Sequence, residues 1–189
     1  MWCSISPLNF ARDVVDAADP QRLALVAVDR AGKRSTQAFG ELSGLAARLA
    51  GTLAATGVSR GDVVMTLVGN RPEWVHAMVA CWRIGAVALP CTEQLRSDDL
   101  RARNDVTSPR AIVVDERNEE TLRAALTASP SPAVLTIPDD RVYARAPAPE
   151  GEVPPAAVRE APRVLHRGLE RDDLALRLTA VVDRDVHLA

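Results

Sequence analysis

The near-continuous apolar run Val63-Val64-Met65-Thr66-Leu67-Val68 constrains this chain more than any other segment. It lacks the in–out alternation of a half-solvated strand, so it predicts a strand buried on both faces, as in a parallel sheet covered by helices. The flanking sequence supplies those helices. Leu42, Leu45, Ala46, Leu49 and Leu53 recur at helical spacing from Glu41 to Thr56, and Gly57 provides a stop. Asn70 is placed to cap a second helix, with Pro72 in its first turn and Glu73 positioned to reach back to the cap. The apolar stripe of that helix is Trp74, Val75, Met78, Val79 and Trp82, and Gly85 ends it.

The alternation continues downstream. Ala86–Leu89 reads as a strand closed by Pro90, and Ser97 as the cap of a helix running through Leu100 towards Val106. Ala111–Val114 is a third apolar strand, Asn118 caps a helix carrying Leu122, Ala125 and Leu126, and Ala133–Ile137 is a fourth strand. Upstream, Ala24–Val28 and Arg34–Gln37 flank Asp29-Arg30-Ala31-Gly32-Lys33 and read as a β-hairpin. The expected class is therefore α/β: a parallel-sheet βα subdomain with a short amino-terminal β-hairpin and an irregular carboxyl-terminal tail. Its expected extent is residues 1–143. A proline-rich linker follows at 144–162, with Pro147, Pro149, Pro154, Pro155 and Pro162, and then a divergent tail at 163–189. In that tail Leu174, Leu176, Leu178 and Ala180 alternate as in a strand, while a helix starting near Asp172 fits equally well.

Composition narrows the function classes. With Lys+Arg 23 against Asp+Glu 25, the net charge of −2 lacks the basic excess of a nucleic-acid binder. No apolar run approaches the ~20 residues that span a bilayer, and no basic-then-apolar leader opens the chain. Cys3, Cys81 and Cys91 are too few and too scattered for a disulfide framework or a zinc site, and a reducing cytoplasm is the expected location. Lys33 is the only lysine. A Schiff-base, phosphate-loop or acylation lysine would have to be Lys33, and a hairpin turn is a poor place to desolvate an amine.

Individual polar residues carry little chemistry by themselves. His76 falls opposite the Trp74/Met78/Trp82 stripe and is expected on a solvated helix face; His166 and His187 have no Ser or Cys partner in context. The doublets Asp98-Asp99, Glu119-Glu120 and Asp172-Asp173 lie near helix starts, where the dipole favours negative charge, so capping explains them better than acid–base catalysis. Cys81 is expected to be packed within or beside its helix, and nothing basic adjoins Cys91 in sequence. Trp74 and Trp82 share one face, for core packing or contact with a further part of the protein.

From about Leu8 to Val142 the sequence resembles the start of an AMP-forming acyl-CoA synthetase of the adenylate-forming superfamily. The resemblance is carried by Gly57-Val58-Ser59-Arg60-Gly61-Asp62-Val63-Val64 and by Asn70-Arg71-Pro72-Glu73-Trp74-Val75 followed by Ile84-Gly85-Ala86-Val87-Ala88-Leu89-Pro90. Ser97–Leu100 and Ala111-Ile112-Val113-Val114-Asp115-Glu116 continue it, and Pro90-Cys91-Thr92-Glu93-Gln94-Leu95 is most similar to medium-chain or arylacyl-CoA synthetases. The resemblance implies a two-step ligase that uses ATP and Mg²⁺ to make an acyl-adenylate and CoA to displace AMP. It also implies a Gly/Ser/Thr-rich loop around the triphosphate and a lysine that stabilises the charge of adenylation. The sequence departs from the family there: no Thr-Ser-Gly-Thr-type run occurs, and Ala161-Pro162-Arg163-Val164-Leu165-His166 resembles residues that normally follow that loop.

The expectation is a truncated or rearranged synthetase product, not catalytic as this chain alone. The alternative is a binding or regulatory module that self-associates or pairs with an intact synthetase. No catalytic or metal residue is assigned. The family's CoA-approaching segments map onto Thr92, Glu93 and Gln94 and onto Asp115-Glu116-Arg117, with Arg117 and Arg123 as the arginines for CoA phosphates. The bland alternative is that these are ordinary surface loops. Ala38 stands three residues before Glu41, where the family usually places a threonine cap.

Overall fold

The computed structural model describes residues 8–29, 31–126 and 131–146. The described residues all belong to one compact unit. The expected tail at 163–189, with its strand or helix, lies outside the described residues, as does Asp172-Asp173.

Strand β1 (Leu23–Val28) pairs antiparallel with β2 (Arg34–Ala38), giving the expected hairpin one residue longer at each outer end. Helix α1 (Phe39–Ala55) leads into β3 (Val63–Leu67), α2 (Pro72–Ile84) into β4 (Val87–Cys91), α3 (Ser97–Thr107) into β5 (Ala111–Asp115), and α4 (Glu119–Ala125) into β6 (Ala133–Ile137). The four later strands form one parallel sheet in the order β4-β3-β5-β6. The central strands β3 and β5 are covered on both sides, which is why they read as unbroken apolar runs. Val64, Val68, Ala111 and Val113 meet Leu49, Ala50 and Leu53 of α1 and Ala77, Ala80 and Cys81 of α2. Met65, Leu67, Ile112 and Val114 meet Leu100 of α3 and Leu122 and Ala125 of α4 on the other face.

Several boundaries differ from expectation for identifiable reasons. Pro90 does not close β4; the strand runs through it to Cys91, with Thr66 opposite Pro90. An edge strand has an open side on which a missing N–H leaves no ladder bond unmade. Asn70 does not cap α2: the cap position is Arg71 in extended conformation, and Glu73 pairs with the Arg71 guanidinium instead of reaching back to Asn70. Ser97 is the first residue of α3, not its cap, and the Arg96 N–H donates to the Asp99 carboxylate at 3.3 Å. Asn118 does stand at the cap position of α4 but makes no side-chain cap bond. Gly85 ends α2 as expected; its φ of +69° is the left-handed conformation that favours glycine.

The expected apolar stripe of α2 requires correction. The buried residues are His76, Ala77, Val79, Ala80, Cys81 and Arg83, while Trp74 and Trp82 are each 37% exposed. This helix is covered on two sides. One side faces the sheet, and another receives α1 and a π-helical segment, Ala11–Asp16, through Ala11, Val15, Leu42, Ala46 and Val79. Alanines on α1 and α2 permit close backbone approach there, and an indole would hold the helices apart. Trp82 is left at the margin, edge-to-face against Phe10 with ring centroids 5.1 Å apart. Among the described residues, no helix is long and apolar enough to cross a membrane.

Ala38 occupies the cap position of α1 in extended conformation and offers no side-chain bond to the first turn. Ala38→Thr is expected to stabilise the fold by about 1 kcal/mol, read as a raised denaturation midpoint at unchanged m-value.

Candidate functional site: the strand-end rim

In a parallel sheet all carboxyl ends lie on one side, so the segments after β3, β4 and β5 share a rim. The connections from β3 and β5, which are neighbours, leave to opposite faces of the sheet: α2 packs on one and α4 on the other. A crevice at the ends of these two strands follows from the topology. A polar cluster occupies it.

Asp115, the last residue of β5, has no exposed surface and is the hub. Arg117 donates to it from Nε to Oδ1 at 2.9 Å, from Nη2 to Oδ2 at 2.6 Å, and from its backbone N–H to Oδ1 at 3.2 Å. From the start of α2, Arg71 donates through Nη1 to Asp115 Oδ2 at 3.2 Å and to Glu116 Oε2 at 3.0 Å. The Arg71 Nε and Nη2 donate to Glu73 at 2.9 and 3.3 Å. Glu93, after β4, accepts from Arg117 Nη2 at 3.5 Å. Gly69 makes the approach possible: a Cβ there would collide with the Glu93 carboxylate and lie 3.2 Å from Arg117 Nη2.

The electrostatics describe a holding device. The side-chain bonds from Arg117, with help from Arg71 and against the cost of burial, hold the Asp115 carboxyl well below the usual carboxylate range. Asp115 in turn keeps Arg117 firmly protonated. Burial works against the charge on Arg71, but Glu73 and Asp115 outweigh it. A carboxylate so committed stays ionised near neutrality, and its part in the cluster is to orient the two guanidiniums. Arg117 is 51% exposed, and its Nη1 has no protein partner among the described residues.

The structure thus brings Glu93 and Arg117 together. Thr92 and Gln94 are exposed on the same turn, with the Gln94 N–H donating to Thr92 Oγ1 at 3.4 Å. Arg123 lies on the outer face of α4, 72% exposed, and donates to Glu119 at 2.7 Å. Arg71 and Gly69 were not singled out as site residues from sequence. The available signal was position, because both immediately follow the central strand β3.

A second cluster overturns the expected solvated place of His76. The ring is buried, with Nε2 2.9 Å from Gln37 Oε1 of β2 and Nδ1 3.2 Å from the Tyr143 hydroxyl. Gln37 Oε1 as acceptor puts the imidazole proton on Nε2, and Tyr143 donates to Nδ1. Burial pushes the His76 pKa down, opposed by Glu73. Burial likewise pushes the Cys81 thiol up to about 12 and raises that of Cys91, so neither is an activated nucleophile. Lys33 is exposed on the hairpin. Among the described residues no His/Cys/Asp/Glu group is placed to hold a metal ion, and the rim's two guanidiniums face four carboxylates.

Comparison with known proteins agrees with this architecture. The model of the family described as AMP-binding enzyme matches residues 12–177. The chain belongs to that family. Within it the chain is similar to acyl-CoA synthetases: it is 37% identical over 117 residues to the mitochondrial acyl-coenzyme A synthetase ACSM3 of Rattus norvegicus, covering 57% of this chain and 20% of that protein. It is 32% identical over 132 residues to the mitochondrial ACSM2A of Homo sapiens, covering 65% of this chain and 23% of the relative. The fold superposes on an acyl-CoA synthetase of Brucella canis with a TM-score of 0.68 at 25% identity, over 76% of this chain and 28% of that one. A benzoate CoA ligase from Burkholderia xenovorans shares the fold with a TM-score of 0.67 at 19% identity, over 78% of this chain and 31% of the other. The chain spans about a fifth of the length of these curated relatives.

Two stability outcomes follow from the buried polar groups. Asp115→Asn should cost about 2–3 kcal/mol in denaturant unfolding, because two guanidiniums lose their shared countercharge. His76 has a depressed folded pKa, so its contribution is fully present above about 6.5 and is lost as pH falls through the lower folded value. His76→Gln should flatten the stability–pH slope in that window.

Proposed function

We propose that this chain forms the first parallel-sheet layer of an acyl-CoA synthetase and that its strand-end rim meets the phosphates of CoA through Arg117. The carrying observation is a half-exposed guanidinium, fixed by a buried aspartate, at the topological switch point of the sheet. Thr92 and Gln94 line the same rim as backbone-adjacent polar contacts, and Arg123 provides more distant positive charge from α4. Adenylation chemistry is outside the reach of these 189 residues acting alone: their sole lysine is the hairpin's Lys33, and their sequence has no Thr-Ser-Gly-Thr-type loop. ATP and Mg²⁺ enter only through the complete family architecture.

Calorimetric titration with CoA tests this reading. Binding with a Kd on the order of 0.1–1 mM is expected, weakened several-fold by Arg117→Gln, with no ATP-dependent thioester formed. Thioester synthesis by the isolated chain would overturn it, as would CoA binding indifferent to Arg117.

A second reading, a non-catalytic module that self-associates or pairs with an intact synthetase, draws on the exposed apolar side chains of Phe10, Trp74 and Trp82 at 45%, 37% and 37%. Light scattering separates the two: concentration-dependent mass growth favours the module, and a monomer at high concentration counts against it.

A further inference from the structure

We infer that Glu93 is a built-in competitor for the phosphate-binding arginine, so that this chain's own carboxylate sets how well the rim takes a phosphate ligand. The inference rests on the reading of Arg117 given above and extends it to what regulates that residue.

The geometry separates two kinds of carboxylate on Arg117. Asp115 is fully buried and grips the guanidinium along its Nε–Nη2 edge at 2.9 and 2.6 Å. That grip orients the group and leaves with the fold. Glu93 is different. It reaches Nη2 at 3.5 Å, the outer limit of a hydrogen bond, from a side chain 37% exposed on the turn after β4. A pair so exposed and so long contributes little to stability. Its charge nevertheless lies 3.5 Å from Nη2, on the same guanidinium whose Nη1 is open, and Gly69 beneath it leaves the space in which the carboxylate sits. Any phosphate arriving at Arg117 must displace Glu93 or share the guanidinium with it, and the two anions repel. With Glu116 on the neighbouring Arg71, the rim already carries more negative than positive charge before a ligand arrives.

The arrangement predicts that neutralising Glu93 strengthens phosphate binding while leaving the fold unchanged. In calorimetric titrations of the full chain at low salt, Glu93→Gln is expected to tighten CoA binding about three- to tenfold, the gain shrinking as ionic strength rises. The gain should vanish in the Glu93→Gln/Arg117→Gln double variant. Thermal unfolding midpoints of the wild type and Glu93→Gln should coincide.

The controls distinguish the inference from the reading beneath it. If Arg117→Gln weakens CoA binding but Glu93→Gln leaves it unchanged, the competitor role is wrong and the CoA-binding reading stands. A Glu93 gain that persists without Arg117 also overturns the inference, since Glu93 would then act elsewhere. CoA binding absent from wild type and Glu93→Gln alike removes both. Titration with 3′-dephospho-CoA identifies the group involved: a gain lost there supports competition with the 3′-phosphate, and a gain retained supports competition with the diphosphate.

Discussion

Two-sided burial of the central strands is the constraint from which the rest of this molecule follows. Parallel neighbours cannot be joined by tight turns, so each strand is connected to the next through a helix, and β3 and β5 receive helices on both faces. The same requirement aligns every carboxyl end on one rim. Because α2 and α4 leave adjacent strands towards opposite faces, the rim opens between them. The candidate site is thus a consequence of how the core is covered, and its polar residues lie where the backbone of the sheet runs out of neighbours.

Within that opening, Asp115 converts position into geometry. It ends a strand whose other residues are all buried hydrophobics, and burying its charge is tolerable only because two guanidiniums and a backbone N–H satisfy it. The result joins the turn after β5 to the first turn of α2. Arg117 is held at the surface with one face committed and another open. The Asp16 carboxylate, bound by Ser43 Oγ and Arg83 Nη2, links the π-helical segment, α1 and α2 in a comparable way on the far side of the helical layer. Both clusters place charge where several elements meet, so each fixes relative placement more than it adds net stability.

Much of the architecture was legible from local pattern. The runs at Val63–Leu67 and Ala111–Val114 announced their strands because two-sided burial leaves no polar alternation to confuse with a loop, and the edge strand Ala133–Ile137 was legible from its short apolar run although it is only partly buried. The helix ends at Gly57 and Gly85 were legible because each needs a left-handed backbone that glycine adopts freely. What failed depended on neighbours not adjacent in sequence. The Trp74/Trp82 stripe had the spacing of a buried face, but α1 presented alanines to α2 and selected its small side chains for the interface. His76 looked solvated because Gln37 and Tyr143, 39 and 67 residues away, supply the hydrogen bonds that make its burial affordable.

The candidate site divides along the same line. Glu93 and Arg117 could be named from sequence because strand ends are marked by where apolar runs stop. Their meeting over Gly69, the addition of Arg71 and the pairing of Arg123 with Glu119 on the outer face of α4 could not be. The amino-acid sequence by itself determined the class of fold, the order of its strands and helices, and the family resemblance, since these rest on periodicity and short-range backbone preference. Only the tertiary structure decided which helix face is buried and which charges neutralise one another. Those outcomes depend on separations of a few ångströms between residues distant in the chain, over which both packing and Coulomb energies change steeply.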